Sequence, residues 1–387
     1  MDDVPARRGP TASSAPVVFL HIGAPKSGTS YIQALLGTNR ETLASHGVLW
    51  PGPSWGVQVA AVKELRQLKS GQSLEPRGRW MKLAASIKEW GGRCAVVSME
   101  WLINLHPHQF GAAVASLEPC RVEVVCTGRD LVRTVPASWQ EAMQNGRTWS
   151  WEEFLDGVTA ADPDSTVPGK AFWRMQDLPA IVRRWSRVVP LDRIHLVTVP
   201  PAGAEPRLLW TRFCELLDLD PAAFEQPQRS NESLGVASAQ LMWHINQRMA
   251  QRQLSRVSYR PLLKRHLSKS VLVSRKADEG RLAFPEDRFE WMADRARRMV
   301  AELDALDLHV VGDLDDLVCQ PPADPGQRPD DVPAAELLEV ALDGFAGLAA
   351  HAAETGASEQ DEVRQLRRTV RALERRLAAA EEQGSSG

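Results

Sequence analysis

Several large classes of protein are excluded by what this chain has little of. Its five cysteines in 387 residues, Cys94, Cys120, Cys126, Cys214 and Cys319, are odd in number and scattered. Most sit inside apolar runs, the pattern of small buried side chains and not of a disulfide framework or metal site. No stretch reaches the roughly 18 apolar residues of a membrane span, and the first ten residues, Met1 to Pro10, carry no apolar core of a secretory leader. A cytoplasmic protein without a membrane span is expected. Excess charge of one sign is also missing: the formal net charge is -3, which argues against nucleic acid as a partner and confines any phosphate chemistry to a local pocket. The 43% hydrophobic and 25% charged content is that of a globular protein with a sizeable core.

The most informative segment is Val17 to Tyr31, VVFLHIGAPKSGTSY. An apolar run, expected to be a buried strand, ends near Ile22 and feeds a Gly/Pro/Ser loop that opens a helix at about Thr29. Gly23 and Gly28 allow the backbone to bend where a side chain would clash, and the first N–H groups of the helix have no partner within it. Such a layout cradles phosphate or sulfate. The spacing Gly23-x-x-x-x-Gly28 copies the frame of a nucleoside-triphosphatase phosphate loop, yet the residue after Gly28 is Thr29 and not the lysine that motif requires. Lys26 lies inside the turn instead, where it would reach the 5′ end of a shorter nucleotide.

A second apolar run, Arg121 to Thr127, leads into Gly128-Arg129-Asp130 and a helix carrying Pro136 and Ser138. A third, Arg93 to Met99, leads to Glu100. Residues at the carboxyl ends of parallel strands meet over one crevice, so Glu100 is the candidate general base. Transfer chemistry at such a loop needs a base and a positive charge where the leaving oxygen develops its own, and Lys26 supplies the charge. His21, a lone histidine within a strand, reads as a packed core residue.

The segment Pro25-Lys26-Ser27-Gly28-Thr29-Ser30-Tyr31 resembles the 5′-phosphosulfate loop of the sulfotransferases that use 3′-phosphoadenosine 5′-phosphosulfate (PAPS), and the likeness spans roughly residues 17–320. The absence of an anchor is similar to the soluble, bacterial kind. The resemblance implies that Lys26, Ser27, Gly28, Thr29, Ser30 and Tyr31 hold the donor, that Arg129 binds the 3′-phosphate, and that the base is a glutamate or histidine, which supports Glu100 and leaves His106 and His108 as rivals. It also implies an acceptor hydroxyl on a small molecule or carbohydrate, 3′,5′-adenosine bisphosphate as product, and no metal. The family's 3′-phosphate serine falls eight residues after the arginine, where this chain has Ala137; Ser138 follows one residue later, about 100° further round a helix.

The fold expected is α/β, a P-loop-like three-layer arrangement of a central parallel sheet flanked by helices, with a C-terminal helical and coiled-coil extension. Residues 1–15 read as a loose tail, 16–320 as the sulfotransferase domain and 321–333, rich in Pro and Asp, as a linker. Residues 334–383 read as helical. There Val363, Leu366, Val370, Leu373, Leu377 and Ala380 form a short heptad seam, which makes 359–383 a candidate for self-association. Trp50 and Trp55 flank a turn and are candidates to face an acceptor. Two other readings stay open: a nucleoside-triphosphate-dependent small-molecule kinase sharing the strand, loop and helix, and a non-catalytic scaffold that docks partners through its C-terminal helix.

Overall fold

The computed structural model describes residues 15–227, 233–252, 259–322 and 326–355. The heptad segment 359–383 and all but the last residue of the tail lie outside the described residues. Six strands make one wholly parallel sheet in the order β2-β3-β1-β4-β5-β6: β1 Val17–Gly23, β2 Val48–Leu49, β3 Cys94–Ser98, β4 Arg121–Gly128, β5 Ile194–Thr198 and β6 His309–Val311. The connections are helical: α1 (Thr29–Thr38), α2 (Arg40–Ser45), α3 (Trp55–Leu65), α4 (Arg79–Lys88), α5 (Pro107–Ser116), α6 (Leu131–Gln144), α7 (Trp151–Val158), α8 (Val167–Gln176), α9 (Leu178–Trp185), α10 (Leu208–Leu216) and α11 (Val236–Gln251).

The four long apolar runs are β1, β3, β4 and β5. They read as continuous and not alternating because a parallel sheet flanked by helices buries both faces: Val18, Leu20, Val96, Val97, Val124, Val125, Leu196 and Val197 are all inaccessible to solvent. The two outer strands span two and three residues, too short to show a period in the sequence, and pairing with their neighbours defines them, Val48 opposite Cys94 and His309 opposite His195. Chain order places β1 between β3 and β4, with the connection leaving β1 on one side and returning on the other. That is the switch point at which the carboxyl ends of such a sheet open a crevice. The register against β4 shifts between His21 and Gly23, and there the strand gives way to the loop.

Below the loop, α1 and α10 pack Ile32, Leu35, Leu36, Trp210 and Phe213 together with Trp50. Truncating one such ring costs on the order of 3–5 kcal/mol. Trp50 is 2% exposed and belongs to this core, so it does not face an acceptor.

The described chain divides into two compact units. The first takes residues 1–139, 149–231 and 283–325 and contains the whole sheet. The second takes 140–148, 232–282 and 326–387. Within it, Asn246 of α11 donates to the carbonyls of Met143 and Arg147 at 2.9 and 2.8 Å and accepts from Tyr259 at 2.7 Å. Its last described element is a helix over residues 334–355, on which Leu338, Leu342 and Phe345 are exposed. In the Pro-rich stretch before it, Pro329–Asp331 forms a single 3-10 turn.

Candidate active site

The loop between β1 and α1 is shaped by three left-handed residues, Gly23 (φ 87°), Lys26 (φ 66°) and Gly28 (φ 79°). Glycine takes this conformation freely, whereas a lysine there is strained, and neighbouring elements hold it. Ala24 N–H donates to Thr127 O on β4 at 2.7 Å, Gln176 at the end of α8 donates to Pro25 O at 2.9 Å, and Arg129 Nη1 donates to Lys26 O at 3.2 Å. A Cβ on Gly28 would lie 2.3 Å from Leu209 Cδ2. α1 then begins with Tyr31 and Ile32 donating to Gly28 O at 3.0 and 3.1 Å. The N–H groups of Gly28, Thr29 and Ser30 precede that first bond and emerge from the helix start, where an anion is favoured.

A chain of hydrogen bonds fixes the floor of the loop. Gln33 Nε2 donates to Ser98 Oγ at 3.2 Å, so the Ser98 hydroxyl donates onward to His21 Nδ1 at 2.7 Å. His21 then carries its proton on Nε2 and donates to Thr127 Oγ1 at 3.3 Å. The Thr127 hydroxyl donates to Ser27 Oγ at 2.5 Å, and Ser27 donates to Ala24 O. One direction of donation satisfies every member, and it runs from β3 through β1 and β4 into the loop. Burial lowers the His21 pKa from 6.5 to about 3, so the ring is neutral, as this chain requires. Sequence reading left His21 as core and did not find Thr127. Ser98 stands opposite His21 on β3, and Thr127 lies two residues beyond His21's partner Val125 on β4, a relation only the register supplies.

Glu100 does not end β3; the strand stops at Ser98 and Glu100 opens a 3-10 turn, Glu100–Asn104. The turn brings the carboxylate back to the loop: Oε1 accepts from the Thr29 hydroxyl at 2.5 Å, and Cγ lies 3.3 Å from where a Cβ on Gly23 would stand. Arg129 follows β4. Asp130 caps α6, its Oδ1 accepting the Arg133 N–H at 2.9 Å, which frees Arg129 to reach back to the loop. Lys26, Ser27, Gly28, Thr29, Glu100 and Arg129 thus gather at the carboxyl ends of three adjacent strands.

The remaining candidates stand further out. Ser30 lies on the first turn of α1, and Tyr31 Oη donates to Gln226 at 2.8 Å. The Ser138 hydroxyl donates to Thr134 O at 2.8 Å within its own helix, beside Pro136. At the start of α5 the His106 N–H donates to Gln109 Oε1 at 2.9 Å, His108 shares a 2.8 Å hydrogen bond with Leu68 O, and the two rings stack with centroids 5.9 Å apart. Trp55 is 38% exposed and donates to Ser98 O at 3.0 Å. Among the described residues no group of three His, Cys, Asp or Glu side chains is placed to hold a metal ion, and no helix is long and apolar enough to cross a membrane.

The site is a glycine-framed loop at a helix start with one lysine inside it, one arginine behind it and one carboxylate beside it, set in a three-layer α/β fold. No family model matches the sequence, and no curated protein matches it. Among solved structures, the chain is similar to a sulfotransferase from Alicyclobacillus acidocaldarius, at 15% identity and a TM-score of 0.35 over 64% of this chain and 99% of that one. It is also similar to the sulfotransferase domain from the curacin biosynthetic pathway, at 14% identity and a TM-score of 0.31 over 57% of this chain and 80% of that one. At these values the likeness assigns neither donor nor acceptor to this chain.

Proposed function

We propose that the protein is a sulfotransferase that moves a sulfuryl group from PAPS to an acceptor hydroxyl on a small molecule or carbohydrate. The observation that carries the reading is the convergence of Lys26, Glu100 and Arg129 on one loop, joined by the Thr29–Glu100 and Arg129–Lys26 bonds. The donor, when bound, supplies an activated sulfuryl group on a 5′-phosphate. The residues fit it: the N–H groups of Gly28 to Ser30 suit the negative end, and the left-handed Lys26 places its ammonium with the loop, where it neutralises charge arising on the departing phosphate oxygen.

Arg129 gives the fork geometry that a terminal 3′-phosphate needs. Glu100 accepts from Thr29 through Oε1, which leaves Oε2 to take the acceptor proton. Ser138 would have to release Thr134 O to join Arg129.

Calorimetric titration with 3′,5′-adenosine bisphosphate, against ATP and AMP without magnesium, tests this. Tight binding of the bisphosphate alone is expected, and Arg129→Ala should weaken it by about 100-fold, the value of a charge-assisted bidentate pair. Equal binding of ATP, or an unchanged Arg129→Ala isotherm, would remove the donor assignment.

A further inference from the structure

The amphipathic pair α8 and α9 carries a cluster of arginines that the mechanism above does not use. A cleft of about 300 Å³ is lined by Trp173, Arg174, Ala180, Arg183, Arg184 and Arg187. A run of arginines on a helix is ordinarily a solvated face matched by acids, and the acids here are occupied elsewhere. Arg183 is paired with Glu302 at 2.6 Å. Asp177, the carboxylate whose charge acts on Arg184, accepts from Arg295 through Oδ2 at 2.6 Å and from the Ala180 N–H through Oδ1 at 3.0 Å.

The hydrogen bonds that Arg174 and Arg184 donate go to neutral groups. Arg174 donates to the side chain and carbonyl of Asn104 at 3.1 and 3.2 Å, and Arg184 Nη2 donates to the Arg174 carbonyl at 3.1 Å. Arg184 Nε is buried with no hydrogen-bond partner among the described residues, a costly state for a cationic donor. Like charges crowd the same spot: burial and the Arg174 charge lower the pKa of both Arg184 and Arg66, the latter stacked 5.1 Å over Trp101. Among the described residues Arg66, Arg174, Arg184 and Arg187 form no ion pair, and the Arg174 charge acts on both Arg66 and Arg184, a local surplus of positive charge that an anion would offset.

The location says what that anion belongs to. Asn104, held by Arg174, closes the 3-10 turn that Glu100 opens. Gln176, two residues beyond Arg174, donates to Pro25 O in the anion loop. The arginine cleft is therefore tied to the turn that bears the base and to the loop.

We infer that this cleft holds an anionic group, a carboxylate or sulfate ester, on the acceptor itself, gripped between Arg174 and Arg184. The volume suits one substituted sugar ring or a group of similar size, at the small end of ligand sites. Guanidinium forks bond both kinds of oxyanion in pairs. Anion binding stands on the arginines alone; its assignment to the acceptor rests on the sulfotransferase reading.

The test uses the full chain, presaturated with 3′,5′-adenosine bisphosphate and titrated at low ionic strength with glucuronate, glucose 6-sulfate, inorganic sulfate and uncharged glucose. Saturable binding of the two charged sugars is expected, with none for glucose. Arg174→Gln and Arg184→Gln should each weaken it at least about tenfold, the loss of one charge-assisted bond, while affinity for the bisphosphate and the melting temperature hold. Absence of saturable binding in the parent chain, unchanged affinity in both variants, or binding of inorganic sulfate alone would each overturn the assignment. If the bisphosphate fails to bind while the sugars still bind through Arg174 and Arg184, the donor reading falls and the anion site stands.

Discussion

The two ends of the one sheet both bury a histidine against hydrogen-bonding partners, and they do so to opposite effect. At the amino end, His195 Nε2 donates to Glu123 at 2.9 Å, His195 Nδ1 shares a 2.9 Å bond with His309, and Arg121 caps the carboxylate at 2.5 Å. That network closes on itself. Burial would raise Glu123, but the bond and charge of His195, with Arg121, hold its pKa below the usual 4.5. At the carboxyl end, His21 is neutral and its chain of hydroxyls runs outward into a loop whose helix-start N–H groups face away from the fold. A closed charged network stabilises a fold; an open neutral one holds a receptive loop in shape.

The sharpest way to break the comparison is at the loop. Lys26→Ala removes the positive charge and leaves the left-handed backbone strain as it is, since alanine keeps the Cβ, so turnover should fall by about 1,000-fold, in the range for a lost transition-state donor, while thermal unfolding stays near the parent. Full turnover in that variant would end the proposed mechanism. At the other end, Glu123→Ala leaves His195 and Arg121 without their shared partner. It should cost about 3 kcal/mol in denaturant unfolding and leave bisphosphate affinity alone; a matching loss of affinity would show that the two ends are not separate.

The third prediction concerns pH. The folded pKa of His21 lies below its unfolded value, so the unfolded chain takes the proton first. Its contribution to stability is full above pH 6.5, declines as pH falls and ceases to change below about 3. The slope is roughly 1 kcal/mol per pH unit from this group. His21→Asn should be less stable at neutral pH and show a shallower acid dependence; parallel curves would mean that His21 is not the buried neutral group. The smallest effect is expected of Ser138→Ala. Its hydroxyl only back-bonds to Thr134 O, so stability should change by less than about 1 kcal/mol. Weakened bisphosphate binding in that variant would show that the serine turns toward Arg129 despite its shifted position.

Much of this arrangement was legible in the sequence. The four central strands came from continuous apolar runs, because both faces of a parallel sheet are buried, and the loop came from Gly23, Lys26 and Gly28, because few other sequences permit such a bend. The short outer strands and the Glu100 turn were not legible. β2 and β6 exist through pairing, and Glu100 reaches Thr29 because the chain turns after Ser98. Trp50 beside a Pro-Gly-Pro turn reads as accessible in one dimension, yet α1 and α10 close over it. The histidine chain needed register: Ser98 and Thr127 lie 77 and 106 residues from His21 along the chain, and they meet it only because β3 sets Ser98 opposite His21 and β4 sets Thr127 two residues beyond its partner Val125.

By itself, then, the sequence determined the class of fold and the place of the glycine-framed loop between β1 and α1, since periodicity, glycine positions and helix-start signals are local properties that neighbouring residues settle. Tertiary structure decided which side chains meet there. The carboxylate beside Thr29, the arginine behind Lys26, the neutral histidine beneath Ser27 and the arginines around Arg184 are joined by strand order and helix packing, and no local rule relates residues so far apart in the chain.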